Sequence, residues 1–213
     1  MTYIKRQSAP KNWPTPRKGT RFVAKTLSGQ IPILVLLRDL LKIAQNRREV
    51  KKALYVKNVL LNQKPARDER QGANLFDVIT IVPSKKNYKL SLTERGKFAL
   101  EEIKEADALK KIAKVESKKT LKGKKTQLNL SDGNNFISNV KCNTNDSVII
   151  DLKNKKIKKC LSLKEKANVL IFTGKHAGKK GVVIKIDDET KNIIVKTSEK
   201  EVNVLIKQVI VTE

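Results

Sequence analysis

Ile33-Leu34-Val35-Leu36-Leu37-Arg38-Asp39-Leu40-Leu41-Lys42-Ile43-Ala44, followed by Gln45-Asn46-Arg47-Arg48-Glu49-Val50, is the stretch on which the fold turns. Ile33, Leu36, Leu37, Leu40, Leu41 and Ala44 recur at helical spacing, and Leu34, Val35 and Ile43 widen the apolar stripe. Pro32 suits the first turn of that helix. Arg38 and Lys42, four apart, are expected to project together from its polar side. Asn46 is placed to cap a second, shorter helix, with Glu49 three residues later completing a capping-box-like arrangement. Val50, Ala53 and Leu54 then point inward, while Arg48, Lys51 and Lys52 crowd the other face. Val59-Leu60-Leu61, a turn at Asn62-Gln63 and the β-branched run Phe76-Asp77-Val78-Ile79-Thr80-Ile81-Val82 supply strands. Residues 31–83 thus read as two short helices and small strands, a compact module with one cationic side.

Upstream, residues 1–30 show neither a 3.6- nor a 2-residue period. Pro10, Pro14 and Pro16 punctuate a cluster of Lys5, Arg6, Lys11, Arg17, Lys18 and Arg21. The segment is expected to be an extended basic arm. Trp13 is its one large apolar residue, and two readings of it stand: packing against the next domain, or stacking on a base or ribose.

Downstream, residues 84–165 are expected to form a β-rich central domain. Lys89–Thr93 and Ile112–Ser117 alternate, Val148–Leu152 reads as a buried strand, and Ala99–Leu109 reads as a short acidic helix. Asp132-Gly133 supplies the positive φ that a tight hairpin turn needs. Residues 166–213 hold several short strands, beginning with Val169-Leu170-Ile171-Phe172, which suggest a small closed barrel. The fold class expected is α+β and multi-domain: arm, small α/β module, β-rich centre and C-terminal β-barrel.

Composition constrains function more than any local motif. The chain has 213 residues with 47 Lys and Arg against 21 Asp and Glu, a formal charge of +26. Self-repulsion on that scale destabilises a compact chain unless a polyanion neutralises it. A phosphate backbone does so, with affinity gained by counterion release. Basic residues recur in every segment, so several folded modules are expected to share one extended polyanion. Cys142 and Cys160 form no CxxC pair and His176 is the only histidine, so two reduced thiols in a cytosolic protein are expected and no metal site. No apolar run is long enough to span a bilayer, and Met1–Arg6 opens no signal-type segment. A soluble, intracellular protein is expected.

The loop Gly174-x3-Gly178-x2-Gly181 departs from the phosphate-cradle motif of nucleotide hydrolases. That motif needs four residues between its glycines and a hydroxyl residue where Lys180 stands, and it opens a helix rather than a strand. A hairpin loop with Lys175, Lys179 and Lys180 outward is the better account, with His176 meeting RNA or solvent. One histidine and no paired thiols assemble no nucleophile and base, so no enzyme and no cofactor are expected.

These residues carry a resemblance. Lys5-Arg6-x-x-Ala9-Pro10-Lys11-x-Trp13, the Ile33–Val50 stretch through Phe76-Asp77-Val78-Ile79, Gly123-Lys124-x-x-Gln127-Leu128-Asn129-Leu130-x-Asp132-Gly133, and Thr173-Gly174-Lys175-His176-x-Gly178-x-x-Gly181 together resemble the archaeal and eukaryotic-type small-subunit ribosomal protein four, the "S-four-e" family, in an archaeal form. The second block looks like its S4-type RNA-binding domain and the last like a KOW-type loop. Two departures stand out. Asn62-Gln63 replaces a frequent Asp-Gly turn, and Pro65-Ala66-Arg67 replaces a Val-Arg pair, displacing the basic side chain by one position.

The resemblance implies a structural, non-enzymatic constituent of the small subunit on the ribosome in the cytoplasm. Its partners would be the 5′ region of the small-subunit rRNA, in the body of the particle, and neighbouring ribosomal proteins. The expected RNA contacts are Lys5, Arg6, Lys11, Trp13, Arg17, Lys18 and Arg21 in the arm, and Arg38, Lys42, Asn46, Arg47, Arg48, Lys51, Lys52, Lys57, Lys64 and Arg67 in the module. Lys122, Lys124 and Lys125 follow in the centre, and Lys175, His176, Lys179 and Lys180 in the last loop. Asp132, Gly133, Gly174, Gly178 and Gly181 are expected to build turns. Folded RNA is read mainly by shape and backbone. Two other readings are less consistent with the residues: an RNA-modifying enzyme targeted by an S4-type module, for which residues 84–165 are too short and too basic, and a KOW-containing transcription or nucleoid factor, against which the RNA-targeting look of residues 33–82 argues.

Overall fold

The apolar run beginning at Ile33 folds as a helix, though an irregular one. In the computed structural model, which describes residues 3–27, 29–123, 125–138, 140–187, 190–198 and 200–212, an α-turn at Ile33–Val35 (α1) passes into a π-helical segment at Leu36–Leu40. The Leu41 N–H closes it on the Leu36 carbonyl at 2.9 Å. Ile33 to Leu37 are all buried, so the widened stripe is spent on the core. Lys42 takes φ 54° and lies beyond the helix end. The expected pairing of Arg38 with Lys42 on one helical face therefore does not form. Arg38 instead grips Asp39, Nε to Oδ1 at 2.7 Å and Nη2 to Oδ2 at 3.0 Å.

The second helix, α2 (Arg47–Tyr55), starts as its sequence dictates. Asn46 Oδ1 accepts the Glu49 N–H at 3.0 Å, and Glu49 Oε2 accepts the Gln45 N–H at 2.7 Å. The Asn46 cap bond is worth roughly 1 kcal/mol, while the return bond from the Glu49 carboxylate falls on Gln45, one residue before the N-cap, so the box closes one position early. Val50 and Leu54 are buried beneath it.

The backbone divides into two units, residues 1–92 with 97–109, and residues 93–96 with 110–213. In the first unit, β1 (Tyr3–Lys5) pairs antiparallel with β2 (Phe22–Ala24), and β3 (Ile31–Pro32) pairs with a strand at Gly72–Ala73. That strand is β6, since β4 (Val59–Leu61) and β5 (Lys64–Pro65) precede it. A five-stranded sheet has the order β5-β4-β7-β8-β9, with β7 at Val78–Ile81, β8 at Lys86–Leu92 and β9 at Phe98–Ile103. It runs straight through residue 84, where a domain boundary was expected, because β7 and β8 form one hairpin. The β4–β5 turn is Asn62-Gln63, both with positive φ (50° and 63°), as a two-residue hairpin loop requires. Asn62 Nδ2 also donates to Asp77 Oδ1 at 2.9 Å.

Two expectations fail in this unit. Ala99–Leu109 is not a helix: β9 and a 3-10 turn at Asp107–Leu109 occupy it. Pairing outweighs helix propensity there, because β9 sets Glu101 opposite Lys89 and Glu102 opposite Tyr88, with Lys86 Nζ 3.4 Å from Glu102. The N-terminal segment is not extended either. Arg6 draws its loop together, donating to the Thr20 carbonyl at 2.6 Å, the Pro16 carbonyl at 2.8 Å and Thr20 Oγ1 at 2.7 Å. Trp13 is only 5% exposed, and its Nε1–H donates to the Gln30 carbonyl at 3.0 Å. The Phe98 N–H meets the Asn12 carbonyl at 2.9 Å.

The second unit is built from two five-stranded sheets. One has β10 (Lys110–Thr120) at its centre, between β11 (Thr126–Leu130) with β12 (Asn135–Ile137) on one side and β13 (Ser147–Asp151) with β14 (Lys156–Leu161) on the other. Its core gathers Val115, Leu128, Leu130, Val148, Ile150 and the free thiol of Cys142. The other has the order β18-β17-β16-β15-β19, with β15 at Asn168–Ile171, β16 at Lys180–Asp187, β17 at Asn192–Thr197, β18 at Glu201–Leu205 and β19 at Val209–Val211. Its ladder is linear, with β18 and β19 at the two ends, yet both feed one core with Ile171, Ile193 and Val195. Lys114 of β10 is buried against this second sheet, donating to the carbonyls of Ile206 at 2.5 Å and Val209 at 2.8 Å.

Candidate nucleic-acid interface

The capped helix α2 presents its cations in one stripe. Arg48, Lys51, Lys52 and Tyr55 are all exposed, and their spacing of three, four and seven puts them on one face opposite Val50 and Leu54. Tyr55 is 89% exposed, an aromatic ring standing free among cations. Arg47 sits beside this stripe and is fixed from below. The Glu69 carboxylate, 3% exposed, takes Arg47 Nε at 2.7 and 2.9 Å, with Nη2 2.5 Å from Oε1. That carboxylate raises the guanidinium's pKa, against a smaller opposing effect of desolvation. Arg47 Nη2 also donates to the Tyr3 hydroxyl at 2.7 Å. Arg70 holds Asp68 at 2.7 Å, which lowers the pKa of the carboxyl. Arg47, Lys51, Arg67, Tyr3 and Tyr55 line one groove of about 490 Å³.

The structure places the expected contacts unevenly. Lys5, Lys11, Arg17, Lys18, Arg21, Lys42, Lys57, Lys64 and Arg67 are exposed on the first unit. Arg6 and Arg38 are committed to internal partners, and the Asn46 side chain is used up as the helix cap. Trp13 is a core anchor and presents no face to a base. Sequence reasoning passed over Tyr3, Tyr55, Phe22 and Arg70. Tyr55, seven residues after Arg48, carried a readable signal. Phe22, with the Arg21 guanidinium 5.5 Å above its ring, did not.

In the second unit, Lys122 and Lys125 are exposed near the β10–β11 turn, and Lys124 lies outside the described residues. Asp132-Gly133 makes the β11–β12 turn, with Gly133 at φ 82° and Asp132 Oδ1 accepting the Asn134 N–H at 3.0 Å. Asp132 is also clamped by buried Lys111, Nζ to Oδ2 at 2.5 Å. Burial is the largest single effect and pushes that carboxyl's pKa up, but the charge and hydrogen bond of Lys111 together with the two hydrogen bonds from Asn134 bring it below the ordinary value. Between β15 and β16 the loop turns on Gly174 and Gly178, at φ 92° and 91°. A Cβ on Gly178 would stand 1.8 Å from the Thr93 carbonyl oxygen, and one on Gly181 2.4 Å from that of Lys196. Lys175 and Lys180 point to solvent, while His176 and Lys179 are half-buried. The loop leads into a strand, so it offers no helix N-terminus to a phosphate. Among the described residues no cluster of His, Cys, Asp and Glu is placed to hold a metal, and no helix is long and apolar enough to cross a membrane.

A mostly β chain with a capped basic helix, a glycine-built lysine loop and cations on both units defines an RNA-binding scaffold. Residues 84–157 match the model of the ribosomal family S4e, and residues 165–196 match the KOW motif. The small ribosomal subunit protein eS4 of Methanocella arvoryzae is 38% identical over 190 residues, covering 86% of this chain and 80% of that protein. Its counterpart in Nanoarchaeum equitans is 35% identical over 207 residues, covering 91% and 88%. The crystal structure of the 30S ribosomal protein S4e from Thermoplasma acidophilum shares the fold at a TM-score of 0.73 and 23% identity, covering 87% of this chain and 95% of that one. The chain belongs to the S4e family of ribosomal proteins, in its archaeal form, and is a structural constituent rather than an enzyme.

Proposed function

We propose that this chain is a structural constituent of the small ribosomal subunit that binds its rRNA, in the 5′ region and body, and meets neighbouring ribosomal proteins in the cytoplasm. The observation that carries the reading is the stripe of Arg48, Lys51 and Lys52 on α2, exposed together on a helix whose other face is core. Phosphates need only cations at the right spacing, and each neutralised phosphate releases counterions. Exposed Lys5, Lys11, Arg17, Lys18 and Arg21 extend the cationic surface of the first unit, and Lys122, Lys125, Lys175 and Lys180 that of the second. The working parts are the N-terminal segment 1–30, the S4-type module begun at residue 31, whose sheet continues past residue 83 to Ile103, the remaining central region to residue 165 and a KOW/SH3-like barrel at 166–213. The shared core of β18 and β19 supports the last of these. Sedimentation of lysate from the native cells tests the proposal. The protein is expected in the fraction of small-subunit-sized particles. Recovery only in the free-protein fraction at physiological salt contradicts it.

A further inference from the structure

The groove beside α2 has more chemistry than phosphate neutralisation requires. Two tyrosines line it, and one of them, Tyr55, has no packing role on the protein surface. Tyr3 is fixed instead, its hydroxyl accepting from Arg47 Nη2 at 2.7 Å and its ring 5.6 Å from the Arg47 guanidinium carbon. Arg47 is itself held by buried Glu69, so one wall of the groove is rigid before any ligand arrives. Arg47 and Arg70 have their charges offset by Glu69 and Asp68, which leaves Lys51 and Arg67 as the cations of the rim. The groove, at about 490 Å³, falls in the size range of small-ligand pockets.

We infer that this groove takes one unpaired nucleotide of the bound RNA, its base stacked on Tyr55 and its phosphate met by Lys51 and Arg67. The inference rests on the proposed rRNA binding and adds a preference to it. A duplex offers phosphates to Lys51 and Arg67 but keeps its base faces stacked inside, so Tyr55 gains nothing from paired RNA. An extruded base exposes a π-face to the ring, a contact open to any base. An acidic peptide would satisfy the rim cations without using the free ring. The fixed Tyr3–Arg47–Glu69 wall lowers the ordering cost of closing on a flat ligand.

The test uses the full chain and two short RNA hairpins of the same stem, one fully paired and one carrying a single bulged 2-aminopurine. The wild type is expected to bind the bulged hairpin more tightly, with the 2-aminopurine fluorescence quenched on binding. Tyr55→Ala is expected to weaken binding to the bulged hairpin about fivefold or more, to abolish the quench and to leave the paired hairpin unchanged. Tyr55→Phe should retain both affinity and quench, since the ring is kept. Equal binding of both hairpins by wild type and Tyr55→Ala overturns the inference while leaving the rRNA proposal standing. Absence of salt-sensitive binding to either hairpin overturns both.

Discussion

Glu69, almost wholly buried, carries the Arg47 guanidinium on both carboxylate oxygens, while Arg47 itself stays half open to solvent. The pair is asymmetric. Losing the arginine strands a buried carboxylate, whereas losing the glutamate releases an arginine that water can solvate. Arg47→Ala is expected to destabilise the first unit by about 1–3 kcal/mol in denaturant unfolding, discounted for the exposed partner. Arg47→Ala with Glu69→Gln should recover part of that loss. Equal stability of Arg47→Ala and wild type would show that the carboxylate finds water or another cation.

The N-terminal segment is part of the folded body, since Trp13, Val23 and Ala24 are buried and Trp13 spends its N–H on the Gln30 carbonyl. Trp13→Ala is expected to cost about 3–5 kcal/mol, and deletion of residues 1–30 to lower the melting temperature markedly. Thermal and chemical unfolding of both variants checks this. Melting of the deletion at the wild-type temperature would make the segment a detachable arm.

Lys114 sets a pH signature. Burial pulls its pKa down from 10.5 to about 8, against a weaker opposite pull from Glu116. Below the folded value both states carry the proton, and the folded state bears the desolvation cost. Between about 8 and 10.5 the unfolded chain binds more protons, so folding stability rises with pH. The gain is about 3 kcal/mol, and the neutral amine keeps two donors for Ile206 and Val209. Lys114→Met should lack the rise when unfolding is measured on either side of that window. Parallel profiles for the two proteins would mean that the amine is not desolvated.

Two glycines of one loop separate strain from space. Gly174 and Gly178 share a left-handed backbone, but a Cβ on Gly174 meets only the mobile end of Gln208, at 3.1 Å, whereas one on Gly178 runs into the Thr93 backbone. Gly174→Ala is expected to cost about 1 kcal/mol and Gly178→Ala about 3 kcal/mol or more, by denaturant unfolding. Equal costs would show that backbone strain alone matters there.

What the sequence made legible follows from locality. The Asn46–Glu49 cap and the Asn62-Gln63 turn each need only a few adjacent residues, and both stand where the pattern puts them. Glu101 and Glu102 misled because their deciding partners lie across a hairpin, in β8. The apolar spacing from Ile33 is local and does specify a helix, but the π-turn and the exit at Lys42 depend on how five consecutive apolar side chains reach the core. Arg6 looked like a free contact because carbonyls at Pro16 and Thr20 cannot be seen as acceptors in a string of letters, whereas packing was one of the two readings of Trp13 and the ring is buried. Among site residues the cationic face of α2 was visible as periodicity. The Tyr3–Arg47 contact spans 44 positions and was not.

The most direct measurement is the salt dependence of small-subunit rRNA binding by wild type and by Arg48→Ala/Lys51→Ala/Lys52→Ala. The account predicts weaker binding at every salt concentration, a log–log salt slope shallower by roughly two units, and unchanged thermal stability. An identical dissociation constant and slope for the two proteins would mean that these three cations face water and not phosphate.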